Sequence, residues 1–284
     1  MVIGGSSAYH IDKELFGKVL WKKRIDTPFG LSSPVYLIET DGVEYFFLSR
    51  HGEKDYEISA PFVNYRANIF CAKVLGVERI LAWTGPGTLR EEINPGSFAI
   101  PKDVVDLTSR KNTFFEGTGI GFIRQNPVFC PQVMSVVKEV LKELQVEFYE
   151  GCVYACTQGP RLETCSEVKF LKLANVDLVG MTLCPEAFLA KELEMCYGAI
   201  CYITNYAECI KELDLEPGVL FEGMLPEEEK EKVERAVSLF PEIVKRVVKR
   251  LNGLNRNCHC NKSLERFKMS GRIKGNPVDF ILGG

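Results

Sequence analysis

The chain has 284 residues, 46% of them hydrophobic and 26% charged, with a formal net charge of −3 at pH 7. That length buries a substantial core, and the mild acidity lacks the basic footprint of a protein that binds nucleic acid or an anionic membrane. No uninterrupted apolar run approaches the roughly 20 residues of a membrane-spanning helix. The opening Met1-Val-Ile-Gly-Gly-Ser6 lacks a signal-peptide layout, so a cytoplasmic protein is expected.

Strand-length apolar runs begin with Met1–Gly4 and Pro34–Glu39. The second leads through Asp41-Gly42 into Tyr45–Leu48, a turn dipeptide between two strand-like runs and hence an antiparallel hairpin. Asn64–Leu75 carries Ala67, Cys71 and Val74 at helical spacing. Arg79–Trp83 and Phe98–Ile100 are the next strands, and Gln132–Leu144 the next helix. Strand Cys152–Cys156, helix Thr164–Leu173, strand Leu178–Met181, helix Pro185–Cys196 and strand Ala199–Thr204 then alternate. A last helix is predicted over Pro226–Leu251. Glu227, Glu228 and Glu229 sit in its first turn, Lys249 and Arg250 in its last, and Pro241 should kink it. Such alternation predicts an α/β fold, a three-layer sandwich with a central mixed β-sheet. No repeat or linker interrupts the chain, so residues 1–284 read as a single domain, with residues 252–284 an irregular basic tail. Gly117-Thr-Gly-Ile-Gly121 follows no predicted strand and lacks dinucleotide spacing, so it reads as a flexible loop.

The eleven cysteines are an odd number, so at least one thiol stays free or pairs outside the chain. Most read as small buried hydrophobes, such as Cys71 on a helix and Cys201 in a strand. Cys258-His-Cys260 lies instead in a polar stretch where burial is not expected. A metal needs more ligands than this pair, and no second Cys/His pair stands near it in sequence, so no metal site is expected. Oxidation of some cysteines stays open, as intracellular disulfides occur in hyperthermophiles.

Three segments at strand ends offer anion-binding groups. Gly4-Gly-Ser-Ser7 combines glycines that let backbone N–H groups converge with two hydroxyls. Arg50-His51-Gly52 supplies a guanidinium and an imidazole donor. Thr84-Gly-Pro-Gly-Thr88 adds hydroxyl and amide donors after an apolar strand. Each alone reads equally as a turn or a surface ion pair. Together they sit where open α/β sheets gather ligands, at the carboxyl ends of strands.

With these segments the chain resembles the trimeric nucleoside phosphorylases, the family of purine nucleoside phosphorylase and methylthioadenosine phosphorylase. The matching pieces run in order: Gly4-Gly-Ser6, Thr27-Pro-Phe-Gly30, Arg50-His-Gly52, Asn64-Tyr-Arg-Ala-Asn68, Gly87-Thr-Leu-Arg-Glu-Glu-Ile93 and Pro95-Gly96. They continue through Gly159-Pro-Arg161, Glu163-Thr164, Gly180-Met-Thr182, Pro185-Glu186, Ala190-Lys-Glu192, Cys196-Tyr197 and Thr204-Asn-Tyr206. The resemblance implies that Ser6, Arg50, His51, Thr84 and Thr182 form a phosphate pocket. It implies that Met181 packs against the ribose, that Gly85 and Pro86 wall the site, and that Phe122 covers the sugar's 5′ end in a neighbouring subunit. Inorganic phosphate is then the co-substrate, no organic cofactor is required, and the assembly is a homotrimer or a dimer of trimers. The Cys258-His-Cys260 pair resembles a tail motif that is oxidised in thermophile relatives.

Glu163 and Asn205 bear on the base. A 6-oxopurine presents an N1–H donor, a C6 carbonyl and N7. A carboxylate accepts from N1–H, and an amide both donates and accepts along the O6/N7 edge. Adenine would set its N1 lone pair against the Glu163 carboxylate, a mismatch that buried sites reject strongly. Methylthioadenosine phosphorylases usually carry Asp where this chain has Asn205, so the expected reaction is phosphorolysis of 6-oxopurine nucleosides. The alternative is a methylthioadenosine phosphorylase, with a nucleosidase or a purine-binding protein as further rivals. Leu162 stands where many relatives have Phe, and Ser7 and Pro86 also depart from the family pattern. Val219, Leu220, Phe221 and Met224 could line an apolar 5′ pocket or pack at a helix entry, so the sequence leaves 5′-hydroxyl against 5′-methylthio open.

Overall fold

Side chains alternate along the strand Arg79–Thr84: Ile80 and Ala82 pack into one hydrophobic cluster, Leu81 and Trp83 into another. The same alternation places Val2 and Ile3 on opposite faces. The computed structural model, which describes residues 1–211 and 217–283, shows what these faces bury. Its strands are β1 (Val2–Gly4), β2 (Lys18–Lys23), β3 (Asp26–Thr27), β4 (Gly30–Leu31), β5 (Val35–Thr40), β6 (Val43–Ser49), β7 (Arg79–Thr84), β8 (Gly87–Thr88), β9 (Phe98–Leu107), β10 (Phe148–Thr157), β11 (Leu178–Gly180), β12 (Cys196–Tyr202) and β13 (Asn205–Tyr206). Its helices are α1 (Tyr65–Val74), α2 (Pro131–Glu143), α3 (Cys165–Leu173), α4 (Leu183–Glu192), α5 (Glu227–Ser238), α6 (Phe240–Asn252), α7 (Glu265–Met269) and α8 (Pro277–Ile281).

Apart from the small β3–β4 pair, the strands form one eleven-stranded sheet ordered β13-β8-β11-β10-β9-β12-β7-β1-β6-β5-β2. One cluster joins its first face to α2, α3, α5 and α6, through residues such as Val137, Leu171, Ala236 and Val244. The other joins the opposite face to α1, α4 and α8, through Ile69, Leu189 and Val278. The architecture is therefore the expected three-layer sandwich. The sheet is mixed: β1 runs parallel to β6 and β7, while β5–β6 and β9–β12 pair antiparallel. In the β5–β6 hairpin, Asp41 (φ 51°) and Gly42 (φ 76°) take the two positive dihedrals that such a two-residue turn needs.

Helix boundaries follow local chemistry. Asn64 caps α1 by accepting from the Ala67 amide, and Thr164 and Glu167 close a reciprocal capping box on α3. Two expectations change. Pro241 does not kink one long helix; it lies in the first turn of α6, where its missing N–H costs nothing, and α5 has already ended at Ser238. The stretch after α6 is not irregular either, since it folds into α7 and α8. Leu264, Phe267 and Ile273 there pack with Phe115 and Ile120 into a third cluster, so the tail supports the 113–123 loop. Gly284 lies outside the described residues. The edge strand β2 was not predicted, because its lysines mask the strand alternation. No helix of the described residues is long and apolar enough to cross a membrane.

Candidate active site

A cavity of about 750 Å³ opens where β1, β6, β7, β11 and β12 end. Nine of the site residues read from sequence line it: Ser6, His51, Thr84, Gly85, Leu162, Glu163, Met181, Thr182 and Asn205. Backbone geometry explains why they converge. Gly5 lies so close to β7 that a Cβ there would fall 2.8 Å from the Trp83 carbonyl oxygen, which lets the Ser6 turn press against the strand. A Cβ on Gly85 would meet Thr204 Cγ2 at 2.6 Å and the Tyr202 ring at 2.8 Å, so only glycine fits that wall.

The anion end is rich in hydroxyls. Thr84 Oγ1, at the end of β7, and Thr182 Oγ1, just before α4, share a 2.9 Å hydrogen bond although they lie 98 residues apart in sequence. Ser7 Oγ is buried on the cavity wall with no hydrogen-bond partner among the described residues, so a ligand acceptor would satisfy it. His51 is 2% exposed and its Nδ1 faces the Ile58 carbonyl oxygen at 2.8 Å. Burial, and then the charge of Arg50, push its pKa down to about 3. The ring is therefore neutral with its proton on Nδ1, leaving Nε2 as an acceptor. The sequence reading made His51 a donor; with its Nδ1 proton directed at the Ile58 carbonyl oxygen, the neutral ring offers an acceptor at Nε2 instead.

Arg50 is placed differently from its neighbours. Its side chain is fully buried and does not line the cavity. Nε and Nη2 donate to the two Glu186 oxygens at 2.5 and 2.9 Å, while Nη1 reaches the Trp83 carbonyl oxygen at 3.4 Å. Glu186 also accepts from Tyr197 Oη at 2.8 Å. Burial alone would lower the Arg50 pKa, but the Glu186 carboxylate outweighs it and holds the guanidinium charged. Glu186 and Tyr197, inside matching motifs, were not singled out for this; sequence does not show that a partner 136 residues away meets Arg50.

At the opposite end Thr157 Oγ1 donates to Glu163 Oε1 at 2.6 Å, leaving Oε2 for a ligand. Asn205 is held at both ends: Oδ1 accepts from Thr204 Oγ1 at 2.6 Å and Nδ2 donates to the Tyr206 carbonyl at 2.7 Å. One donor hydrogen and one acceptor lone pair remain on the amide. A disulfide, Cys165–Cys209, ties the two segments that carry these side chains. Arg110 also went unnoticed in the sequence. Its Nη1 donates to the carbonyls of Met181 (2.5 Å) and Cys184 (2.9 Å), and its Nη2 to that of Gln158 (2.7 Å), so one guanidinium staples the Met181–Cys184 segment to the loop before Glu163.

Leu220 and Phe221 line the cavity, while Val219 and Met224 do not. Phe122 is 96% exposed with a φ of 57° and does not line its own chain's cavity. Cys258 and Cys260, expected in a solvated stretch, are half-buried against the first core cluster, and both are free thiols rather than an oxidised pair.

The chain and its fold match known proteins. Residues 2–249 match the family model described as the phosphorylase superfamily. A probable S-methyl-5′-thioinosine phosphorylase of Thermodesulfovibrio yellowstonii is 36% identical over 269 residues, covering 93% of this chain and 95% of that protein. A probable 6-oxopurine nucleoside phosphorylase of Moorella thermoacetica is 39% identical over 227 residues, 78% of this chain and 85% of that protein. Among solved structures, methylthioadenosine phosphorylase from Schistosoma mansoni in complex with adenine superposes with a TM-score of 0.80 at 27% identity, covering 94% of this chain and 95% of that one. The chain belongs to the phosphorylase superfamily, in the group of purine nucleoside and methylthioadenosine phosphorylases.

Proposed function

We propose that this enzyme is a pentosyltransferase that cleaves 6-oxopurine nucleosides with phosphate, releasing the free base and a ribose-1-phosphate or its methylthio analogue. The observation that carries the reading is the placing of Glu163 and Asn205 on the same cavity as the Ser6, Thr84 and Thr182 hydroxyls. Glu163 Oε2 accepts from purine N1–H, and the remaining Asn205 donor and acceptor follow the O6/N7 edge. Ser6, Ser7, Thr84 and Thr182 hold the phosphate against the anomeric carbon, with His51 Nε2 accepting a hydrogen bond from its protonated oxygen. Arg50 supplies fixed positive charge from behind through Nη1, the edge that Glu186 leaves available. Met181 and Gly85 face the sugar. As the C–N bond lengthens, charge builds on the ribose and the phosphate steadies it before attacking. Asn205 favours the departing base by hydrogen bonding, so catalysis rests on placed dipoles. Phosphate is the co-substrate and no organic cofactor is needed. We assign Phe122 to the sugar end of a neighbouring subunit's site in a homotrimer; its exposure, off the lining of its own cavity, supports this. A cytoplasmic role in purine salvage is consistent with the reading.

The second reading is a methylthioadenosine phosphorylase. It draws support from a relative named S-methyl-5′-thioadenosine phosphorylase, from Nitrosopumilus maritimus, at 36% identity over 243 residues, and from Leu220 and Phe221 at the cavity. The deciding experiment incubates the enzyme with inosine or methylthioinosine, with and without phosphate, and identifies the sugar product. Sugar-1-phosphate formed only with phosphate supports phosphorolysis; free sugar formed without it would make the enzyme a nucleosidase.

A further inference from the structure

Four cysteines far apart in sequence meet at one point away from the cavity. The sulfurs of Cys130, Cys196, Cys258 and Cys260 all lie within 4.8 Å of one another, and Cys196 and Cys258 are 3.3 Å apart. Four thiolates around a tetrahedral zinc, each with a Zn–S bond of about 2.3 Å, are about 3.8 Å apart, inside that range. The four are free thiols here, while Cys165 and Cys209 in the same chain form a disulfide.

Each ligand is positioned by structure that does not depend on the cluster. Cys130 is the N-cap of α2, and its amide donates to the Tyr197 carbonyl at 2.8 Å, which brings it beside Cys196 at the start of β12. The segment carrying Cys258 and Cys260 is pinned on both sides. Before it, Arg79 donates to the Leu254 carbonyl (2.7 Å), Gln132 to that of Asn255 (2.7 Å), and Arg256 to that of Glu194 (2.9 Å). After it, Ser263 donates to the Lys191 carbonyl at 2.6 Å and Lys268 pairs with Glu194 at 2.5 Å. Two cations belong to the same region: Arg256, which donates to the Glu194 carbonyl, precedes Cys258 by two residues, and the Lys191 carbonyl accepts from Ser263 just after Cys260. Four thiolates and a divalent ion carry a net charge of about −2, which those two cations balance.

We propose that these four cysteines form a structural zinc site that clamps the C-terminal segment to α2 and β12. The donor set decides the ion's class. Four soft thiolates without imidazole or carboxylate suit zinc, and four protein ligands leave no open position for catalysis. The clamp also reaches the 113–123 loop, because Leu264, Phe267 and Ile273 pack on Phe115 and Ile120 just beyond the site.

The test expresses the full chain in zinc-supplemented medium and measures metal by elemental analysis and native mass spectrometry after gel filtration. The expected result is about one zinc per chain, and a cobalt-substituted protein with the intense charge-transfer absorption of thiolate ligands. Cys258→Ser together with Cys260→Ser should lower retained zinc about tenfold or more. Native mass spectrometry of the wild type needs no variant, so misfolding of that pair would not blunt the test. A metal-free protein whose mass shows the four thiols paired as two disulfides overturns the proposal. Stoichiometric iron in place of zinc overturns the choice of ion, and metal retained in full by the serine variant overturns the ligand set.

Discussion

Replacing Glu186 by Gln isolates the Arg50 pair. The substitution keeps the shape and an acceptor for Tyr197, but it leaves a fully buried guanidinium facing a neutral amide. Removing one partner of a buried ion pair costs about 3–5 kcal/mol, because the surviving charge is stranded in low dielectric. A chain of this length unfolds with an entropy on the order of 0.6 kcal/mol/K, so Tm should fall by roughly 5–8 °C. Calorimetry of the wild type, Glu186→Gln and the double variant Arg50→Met with Glu186→Leu separates stability from binding. The double variant removes both charges together and should recover most of the lost Tm. Its KM for phosphate should nonetheless rise, since the fixed positive charge behind the anion end is gone. A Glu186→Gln protein that melts within about 1 °C of wild type would refute the buried-pair reasoning. Unchanged phosphate KM in a well-folded double variant would remove Arg50 from the phosphate site.

Other consequences follow from the same geometry. Glu163→Ser with Asn205→Asp should shift the inosine-to-adenosine ratio of kcat/KM toward adenosine by about 10- to 100-fold, each buried mismatch being worth about 1–3 kcal/mol; steady-state assays of both nucleosides read it directly. His51, neutral in the fold with a pKa near 3, favours the native state above its unfolded value near 6.5. That contribution is lost as pH falls from about 6.5 toward 3, at up to about 1.4 kcal/mol per pH unit, and denaturant titrations of His51→Gln should show a shallower acid dependence. Reducing Cys165–Cys209, which closes a separation of 44 residues, should cost up to about 4 kcal/mol by chain entropy. Because it joins the Glu163 and Asn205 segments, reduction should also narrow the preference between 6-oxopurine and adenine nucleosides, measurable with and without reductant.

The pieces legible in the sequence were those whose signal is local. The hairpin at Asp41-Gly42, the helix starts at Asn64 and Thr164, and the polar groups after β1, β7 and β11 all announce themselves within a few residues. Glu163 and Asn205 were readable because each sits in a short motif at a strand end. What escaped was long-range pairing. Arg110 lies in a loop without periodicity and acts on the carbonyls of Met181, Cys184 and Gln158, none near it in sequence. Glu186 meets Arg50 only because α4 packs against β12 and β7. Cys258 and Cys260 looked too few for a metal because Cys130 and Cys196 reach them through α2 and β12. The tail read as irregular because its helices are short and its few apolar residues pack on a distant loop.

The most direct measurement is kcat/KM for inosine against adenosine, and for methylthioinosine against methylthioadenosine, at saturating phosphate. If Glu163 and Asn205 read the purine as argued, the 6-oxopurine member of each pair is preferred, by about 10-fold or more. Equal efficiency within the pairs, or preference for the adenine member, would contradict the account.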